Sequence, residues 1–231
     1  MRHEILDAPN FALLKLRFDG AGEQAVAESG ALVAKSAAVT VQTSLRGGLI
    51  AAAKRSVLGG ESLFQNTYTA GAAGDELWLA PAAEGDLKGR VLSAGESFFL
   101  QSGAYLAHHG PELVVDTRWG GVRGFFGGLG LFLLRISGPG TVFYGSYGAL
   151  HEVEVGPGGY TADTGHVVAF TEGLEYRVRP FGGAKGLFFS GEGLVCDFSG
   201  RGSVFLQTRS PASLASFLHP YRPVKARGSS E

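Results

Sequence analysis

The sequence has little of what marks several common classes of protein. It contains a single cysteine, so an internal disulfide framework is excluded and a reducing compartment is favoured. The formal net charge is −1, which gives no basic surface of the kind that binds nucleic acid. The most apolar stretch, residues 124–136, is short and contains Arg135, so no membrane span is predicted. The first residues carry neither an apolar signal core nor an Arg-rich presequence, which predicts a cytoplasmic protein.

Apolar residues and glycine are abundant instead. Hydrophobic residues make up 45% of the 231 residues, which is ample for a core, while the charged fraction of 18% lies below the usual quarter. The 37 glycines follow no collagen period and sit at repeated places, so they are interpreted as turns and bulges. The one cysteine, Cys196, lies in the apolar run 194–196, a pattern typical of a buried, inert thiol.

The chain resembles itself at two fixed offsets. Residues 120–143 match residues 182–205 at nine of 24 positions without a gap (182 − 120 = 62). Residues 22–48 match residues 95–121 at nine of 27 positions (95 − 22 = 73). Because self-similarity at a fixed period is the signature of a repeat architecture, the chain is predicted to contain three related units.

The repeats predict how the chain is organised. Three units, residues 5–84, 85–147 and 148–210, form a single β domain over residues 1–210 with a pseudo-threefold arrangement. Residues 211–231 are predicted to add a short helix and a polar tail. A unit of this size would be marginal by itself, which favours one compact body over separate domains.

Strand signals dominate the sequence. Alternating or β-branched and aromatic runs, separated by Gly, Pro, Asp and Asn, predict an all-β sandwich or barrel; the clearest runs are residues 12–18, 39–43, 113–116, 153–155, 176–179 and 204–208. Two short helices are predicted as well. The first covers residues 49–58 and ends at a Gly-Gly pair. The second has Ser210 as its N-cap and Pro211 as its first residue, and it ends before Pro220.

A third sequence match suggests an insertion in the first unit. GGESLF at residues 59–64 has the pattern of GPGTVF at residues 138–143. On this alignment Phe64 is 31 residues before Gly95, whereas Phe143 is 15 residues before Gly158, so about 16 residues are extra (31 − 15 = 16). They are predicted to form an added hairpin within residues 65–84.

Histidines are the first candidates for a binding site. His108, His151 and His166 are candidate ligand contacts, although no HxH, HxxxH or His/Cys spacing predicts a metal site. His108 and His109 are adjacent, so on a strand their side chains face opposite sides. In the repeat frame these positions carry different residue types, which favours a structural or solvated role.

Gly-rich loops are the second candidates. Arg46, Arg123 and Lys185 lie beside Gly-Gly pairs that the repeat brings to equivalent places, and backbone N–H groups in such loops can bind an anion. Neither a GxxxxGKS nor a GxGxxG motif occurs, and the repeat is itself a sufficient reason for these glycines. No catalytic residue, metal ligand or cofactor is therefore predicted.

Three segments carry a family resemblance: GGESLFQN at residues 59–66, DTGHVVAF at residues 163–170 and GRGSVFLQT at residues 200–208. In their order the sequence resembles the family of altered inheritance of mitochondria protein 24 and its prokaryotic relatives, over about residues 4–210. The resemblance implies a β-sandwich of the tryptophan RNA-binding attenuation protein-like type, built by duplication. Mitochondrial members are associated with inner-membrane organisation and respiratory complexes, and the family supplies no catalytic residue to carry over.

Two functions are consistent with these observations. The first is a non-enzymatic binding or scaffolding protein that self-associates or binds another protein. The second is a small-molecule binding protein, or an enzyme, with a pocket between the repeats. A homo-oligomer is predicted because small β units leave open sheet edges. Its contact is expected at the Gly-rich hairpin of residues 125–129 or around Tyr68 and Trp78.

Overall fold

The computed structural model describes residues 1–45, 64–116, 133–182 and 193–222, and within these ranges the chain forms 19 strands. The first seven are β1 (Arg2–Leu6), β2 (Leu13–Arg17), β3 (Gln24–Glu28), β4 (Leu32–Lys35), β5 (Thr40–Leu45), β6 (Phe64–Thr69) and β7 (Glu76–Leu79). The next six are β8 (Leu87–Leu92), β9 (Ser97–Gln101), β10 (Tyr105–His109), β11 (Val114–Asp116), β12 (Leu133–Ser137) and β13 (Gly140–Gly145). The last six are β14 (Leu150–Val155), β15 (Tyr160–Asp163), β16 (Val167–Thr171), β17 (Leu174–Pro180), β18 (Leu194–Gly200) and β19 (Gly202–Gln207).

One α-helix follows the strands. Helix α1 covers Pro211–Leu218, with Ser210 as an extended N-cap whose hydroxyl accepts a hydrogen bond from the Ser213 backbone N–H at 3.5 Å. Proline occupies the first turn, as predicted. The other predicted helix, residues 49–58, lies outside the described residues. Two single turns of 3-10 helix, Ser102–Ala104 and His219–Tyr221, also lie within the described ranges.

The strands pair antiparallel in four sheets. Two sheets have six strands, in the orders β5-β6-β3-β10-β13-β8 and β11-β12-β9-β16-β19-β14. A four-stranded sheet has the order β1-β2-β7-β4, and a three-stranded sheet the order β15-β18-β17. The predicted all-β class is therefore confirmed.

One pairing order occurs three times along the chain. The triplets β5-β6-β3, β11-β12-β9 and β17-β18-β15 have the same order, and so do β4-β7-β2, β10-β13-β8 and β16-β19-β14. The offsets found in the sequence relate strands in equivalent places: adding 73 to the residue numbers of β3, 24–28, gives 97–101, the bounds of β9. Adding 62 to the residue numbers of β13, 140–145, gives 202–207, the bounds of β19. That the three units superpose stays a prediction.

The added hairpin expected within residues 65–84 is wrong. β6 pairs with β3 and β5, and β7 pairs with β2 and β4, so both strands belong to the sheets. Phe64 starts β6, whereas Phe143 lies in β13, which takes a different place in the pairing order. Short patterns of Gly and Phe recur at several strand ends, so this match joined the wrong strands. Part of the extra length is a six-residue turn between β6 and β7 (76 − 69 − 1), against two residues between β12 and β13 (140 − 137 − 1).

Three hydrophobic clusters form the core, and strands in the middle of a sheet contribute to two of them. Along β13, Phe143 packs in the first cluster, while its neighbours Val142 and Tyr144 pack in the second. This alternation follows from the two-residue period of a strand, which sends successive side chains to opposite faces. A buried Phe or Leu contributes roughly 1.5–3 kcal/mol, so a strand that is buried on both faces stabilises two clusters at once.

The turn between β12 and β13 depends on a glycine. Gly140 has φ +153°, and a Cβ atom at this position would lie 2.7 Å from the His109 carbonyl oxygen and 2.8 Å from Leu113 Cδ1. Both contacts are shorter than packed atoms allow, and the backbone conformation is one that L-residues rarely adopt.

We predict that Gly140→Ala lowers the free energy of unfolding by about 1–3 kcal/mol, because the new methyl group clashes with backbone in a strained conformation. Gly156→Ala is the matched control, since nothing lies within 4 Å of a Cβ built there. Chemical denaturation of both variants measures the difference. Equal stability of the two variants would contradict the prediction.

Candidate functional site

A wide groove of about 910 Å³ opens at one end of the sheets. Its wall consists of strand ends, the turns that follow them and the first residues of α1. The main contributors are Glu28, residues 81–83, Gln101, residues 103–106, residues 145–147, residues 163–165, Val167, Leu194, Gln207 and residues 210–213. All three segments of the chain that share the pairing order contribute to this wall.

Three polar residues occupy corresponding places in the groove. Glu28, Gln101 and Asp163 are the last residues of β3, β9 and β15. The sequence offsets relate them directly, because 28 + 73 = 101 and 101 + 62 = 163. Each position therefore ends the corresponding strand of its own segment and bears a side-chain oxygen.

Hydrogen bonds hold the wall in place. The Asp163 carboxylate accepts a bond of 2.7 Å from the backbone N–H of Gly165. The Gln207 side chain donates to the Gly165 carbonyl oxygen and accepts from the Tyr147 backbone N–H, both at 2.9 Å. One amide group thus joins the turn after β15 to the loop between β13 and β14.

The charged side chains that line the groove are both acidic. Glu28 and Asp163 contribute carboxylates, and none of the lining residues in the described ranges is Lys, Arg or His. Ala82, Val167 and Leu194 add apolar surface beside them. Such a wall disfavours an anion and favours a ligand with a cationic group.

The structure separates the three candidate histidines. His108 is buried in β10, with Nδ1 2.7 Å from the Tyr105 hydroxyl, which also lies 3.2 Å from the Val26 carbonyl oxygen. His151 is exposed on β14, and His166 precedes β16 with Nδ1 2.7 Å from the Gln207 carbonyl oxygen. The His166 bond reaches the neighbouring strand β19, whereas His108 bonds to Tyr105 of its own strand. None of them lines the groove described above.

The basic candidates cannot be placed. Arg46, Arg123 and Lys185 all lie outside the described residues, as does most of the Gly-rich loops around them. The anion-binding hypothesis that rests on them stays a prediction. Cys196 is a free thiol in β18, and burial raises its pKa to about 12, so it is protonated and unreactive at neutral pH.

The described part of the chain holds no group of three His, Cys, Asp or Glu side chains that could bind a metal ion. None of its helices has the length and the apolarity that a membrane crossing needs. The polar residues of the groove lie at or next to the ends of strands. Among those described, no serine or threonine is hydrogen-bonded to a histidine, the arrangement that activates a nucleophile.

His109 is a functional group that the sequence does not single out. Its Nε2 atom is buried and has no hydrogen-bond partner among the described residues, and its ring lies 5.8 Å from the ring of Phe143. As predicted for adjacent residues on a strand, His109 and His108 face different clusters. Burial lowers the pKa of His109, the terminal ammonium of Met1 and the nearby His3 lower it further, and Glu23 opposes the shift.

We predict that His109 makes the fold sensitive to acid. Because its pKa is lower in the folded chain, the unfolded chain gains a proton near pH 6.5 that the folded chain does not, so stability falls as the pH drops below about 7. His109→Gln removes the ionisable group and should reduce the loss of thermal midpoint between pH 7 and pH 5. His151→Gln, at an exposed position, should keep the wild-type dependence. An unchanged pH profile for His109→Gln would contradict this account.

Sequence reasoning missed the groove itself. Its wall consists of residues that are far apart in the chain, and none of the six candidate binding residues lines it in the described structure. One signal was available: the two offsets align Glu28, Gln101 and Asp163, which are all polar and all end a strand. The same kind of side chain, one with an acceptor oxygen, thus occurs at this position in each of the three aligned segments. Such agreement indicates that the three side chains belong to one shared surface.

These features define an all-β protein of antiparallel sheets with an open, acidic groove. The chain belongs to the family described as mitochondrial biogenesis AIM24, which matches residues 3–209. It is similar to an uncharacterised protein of Streptococcus pyogenes serotype M6, with 30% identity over 98% of this chain and 93% of that protein. It is also similar to an X-ray crystal structure of a Streptococcus pyogenes protein, with a TM-score of 0.76, 28% identity, and coverage of 96% of this chain and 99% of that one. The predicted resemblance is confirmed.

Proposed function

We propose that this protein is a non-enzymatic binding protein, and that its groove takes a ligand with a cationic group on an apolar stem. The observation that carries the proposal is the charge of the groove, where Glu28 and Asp163 are the charged lining residues among those described. A carboxylate next to apolar wall suits an ammonium or guanidinium group on an aliphatic stem.

The size of the groove supports the same proposal. A volume of about 910 Å³ lies within the range of clefts that hold a small molecule or a short peptide segment. The groove is open along one side, which suits an extended ligand better than a small, enclosed cofactor. Its walls are held by the Gln207 and Asp163 hydrogen bonds, so little ordering of the protein accompanies binding.

The acidic wall disfavours nucleic acid at this site, since the charged lining residues in the described ranges are carboxylates, which repel phosphates. This supports the prediction from sequence that nucleic acid is not a partner. The cytoplasmic location predicted from sequence stays a prediction.

Self-association as a scaffold is a second candidate function. Strands β4 and β15 each end a sheet, and their outer edges have no strand partner among the described residues. Exposed edges favour pairing with another chain. The sequence analysis expected Tyr68 at the contact between copies. That expectation is wrong, because the Tyr68 side chain is fully buried in the first cluster. Trp78 is half-buried on β7, and residues 125–129 lie outside the described ranges.

We predict that fluorescein-labelled tetralysine binds the protein and that labelled tetraglutamate does not. Fluorescence anisotropy should show a dissociation constant for tetralysine that rises with salt, because the charges meet in a groove that is open to solvent. Glu28→Gln and Asp163→Asn should each weaken binding about two- to fivefold, as expected for the loss of one charge pair that salt can screen. Asparagine keeps the oxygen that accepts the Gly165 N–H bond, so the turn is retained.

A filled groove provides the positional test. Ala82 is exposed on the groove wall, and Ala82→Trp should weaken tetralysine binding about tenfold by occupying the space. Ala73→Trp is the matched control, because Ala73 is equally exposed in the turn between β6 and β7 and does not line the groove. Equal binding of both peptides, or an equal effect of the two tryptophans, would show that the groove is not the site.

A further inference from the structure

The triplets of strands that share a pairing order are joined to one another at two places, and both junctions use the same antiparallel pairing. β3 pairs antiparallel with β10, with Val26 opposite His108 and Ala27 opposite Ala107. β9 pairs antiparallel with β16 in the same register, with Phe99 opposite Phe170 and Leu100 opposite Ala169. Each pairing joins two triplets of strands into a six-stranded sheet.

The edges for a third junction are present and have no strand partner in the part of the chain that the structure describes. The offset of 62 carries β9 onto β15, and the offset of 73 carries β4 onto β10, so β15 and β4 are the strands that such a junction would join. In this structure β15 ends the three-stranded sheet and β4 ends the four-stranded sheet. The two edges belong to different sheets and are not hydrogen-bonded to each other.

Strand β4 already has the shape of its paired counterparts. The register of β10 against β13 shifts between Tyr105 and Ala107, and that of β16 against β19 shifts between Val167 and Ala169. β4 shifts at the corresponding place against β7, between Leu32 and Ala34. All three strands therefore have a register shift at the same position. Such a shift bends a strand and increases its local twist, so β4 has the same local shape as β10 and β16, whose outer edges are paired.

Burial distinguishes β4 from these counterparts. Four of five residues are buried in both β10 and β16, whereas all four residues of β4 are exposed. Leu32 and Val33 are 43% and 54% exposed, and Tyr160 on β15 is 39% exposed. β4 and β15 therefore leave both main-chain groups and apolar side chains open to solvent, which is the condition that natural edge strands usually avoid.

We propose that β4 of one copy pairs with β15 of a second copy, and that this contact is the interface through which the protein self-associates. The inference rests on the self-association proposed above and names its surface. Every copy carries both edges, so the contact is head-to-tail and can continue into a ring or a chain of copies. The internal register places Lys35 opposite Thr161 of the second copy, with Asp163 as a diagonal neighbour of opposite charge.

Cysteine cross-linking tests this register. Lys35 and Thr161 are both exposed, so Lys35→Cys and Thr161→Cys are made in separate proteins, which are then mixed under mild oxidation. We expect a disulfide-linked product of about 48 kDa, twice the 24.1 kDa of one chain, on non-reducing gels. The native thiol contributes little background, because Cys196 is buried.

The control uses another free edge. Val91 is 71% exposed on β8, which ends a six-stranded sheet, so Val91→Cys is mixed with Thr161→Cys in the same way. The Lys35→Cys mixture should give at least tenfold more product. Equal yields from the two mixtures would overturn the proposed register.

A double variant distinguishes β4–β15 pairing between two copies from β4–β15 pairing within one chain. Lys35→Cys/Thr161→Cys should give a ladder of linked copies, and a product that is cross-linked within a single chain would overturn the proposal. Light scattering of the wild-type protein gives the assembly mass independently. A multimer that yields no cross-link would overturn the β4 and β15 interface while leaving self-association itself in place.

Discussion

Antiparallel pairing across the boundaries between chain segments is the constraint on which the rest of this structure depends. The β3–β10 and β9–β16 pairs build sheets of six strands from strands that are distant in sequence. The central strands of these sheets have apolar side chains on both faces, so they contribute to two clusters at once. Phe143 from β13 completes the first cluster in this way, and Phe99 from β9 the third. The loss of one junction would therefore expose parts of two clusters.

The groove is a consequence of the same pairing. Once β3, β9 and β15 lie in corresponding places, their final residues meet at one end of the sheets, and the turns that follow become its wall. Main-chain groups at strand ends need partners, and Gln207 supplies two of them across neighbouring segments. These two hydrogen bonds hold the wall together.

The groups most capable of chemistry have structural roles in the described part of the chain. Burial keeps the Cys196 thiol protonated, His108 joins Tyr105 in a buried hydrogen bond, and His166 bonds to a strand backbone. Catalysis needs such groups to converge on one accessible place. The groove in the described part of the chain offers instead two carboxylates and apolar wall.

Local pattern determined much of this protein. The alternation of residues predicted the strands at β2, β5, β11, β14, β17 and β19, and Ser210 with Pro211 predicted the start of α1, because these signals act over a few neighbouring residues. The ungapped offsets of 62 and 73 relate strands with equivalent places in the pairing order, while the threefold repeat itself stays a prediction. The short match between Phe64 and Phe143 failed, since six residues do not specify which strand they belong to.

Tertiary structure alone decided what those strands do together. The sequence does not show that Tyr68 is fully buried, that His109 Nε2 has no hydrogen-bond partner among the described residues, or that Glu28 and Asp163 share one groove. Nor does it show that β4 is exposed where its counterparts β10 and β16 are buried. Each of these depends on contacts between residues far apart in the chain, and local propensity carries no information about which distant strand will cover a given face.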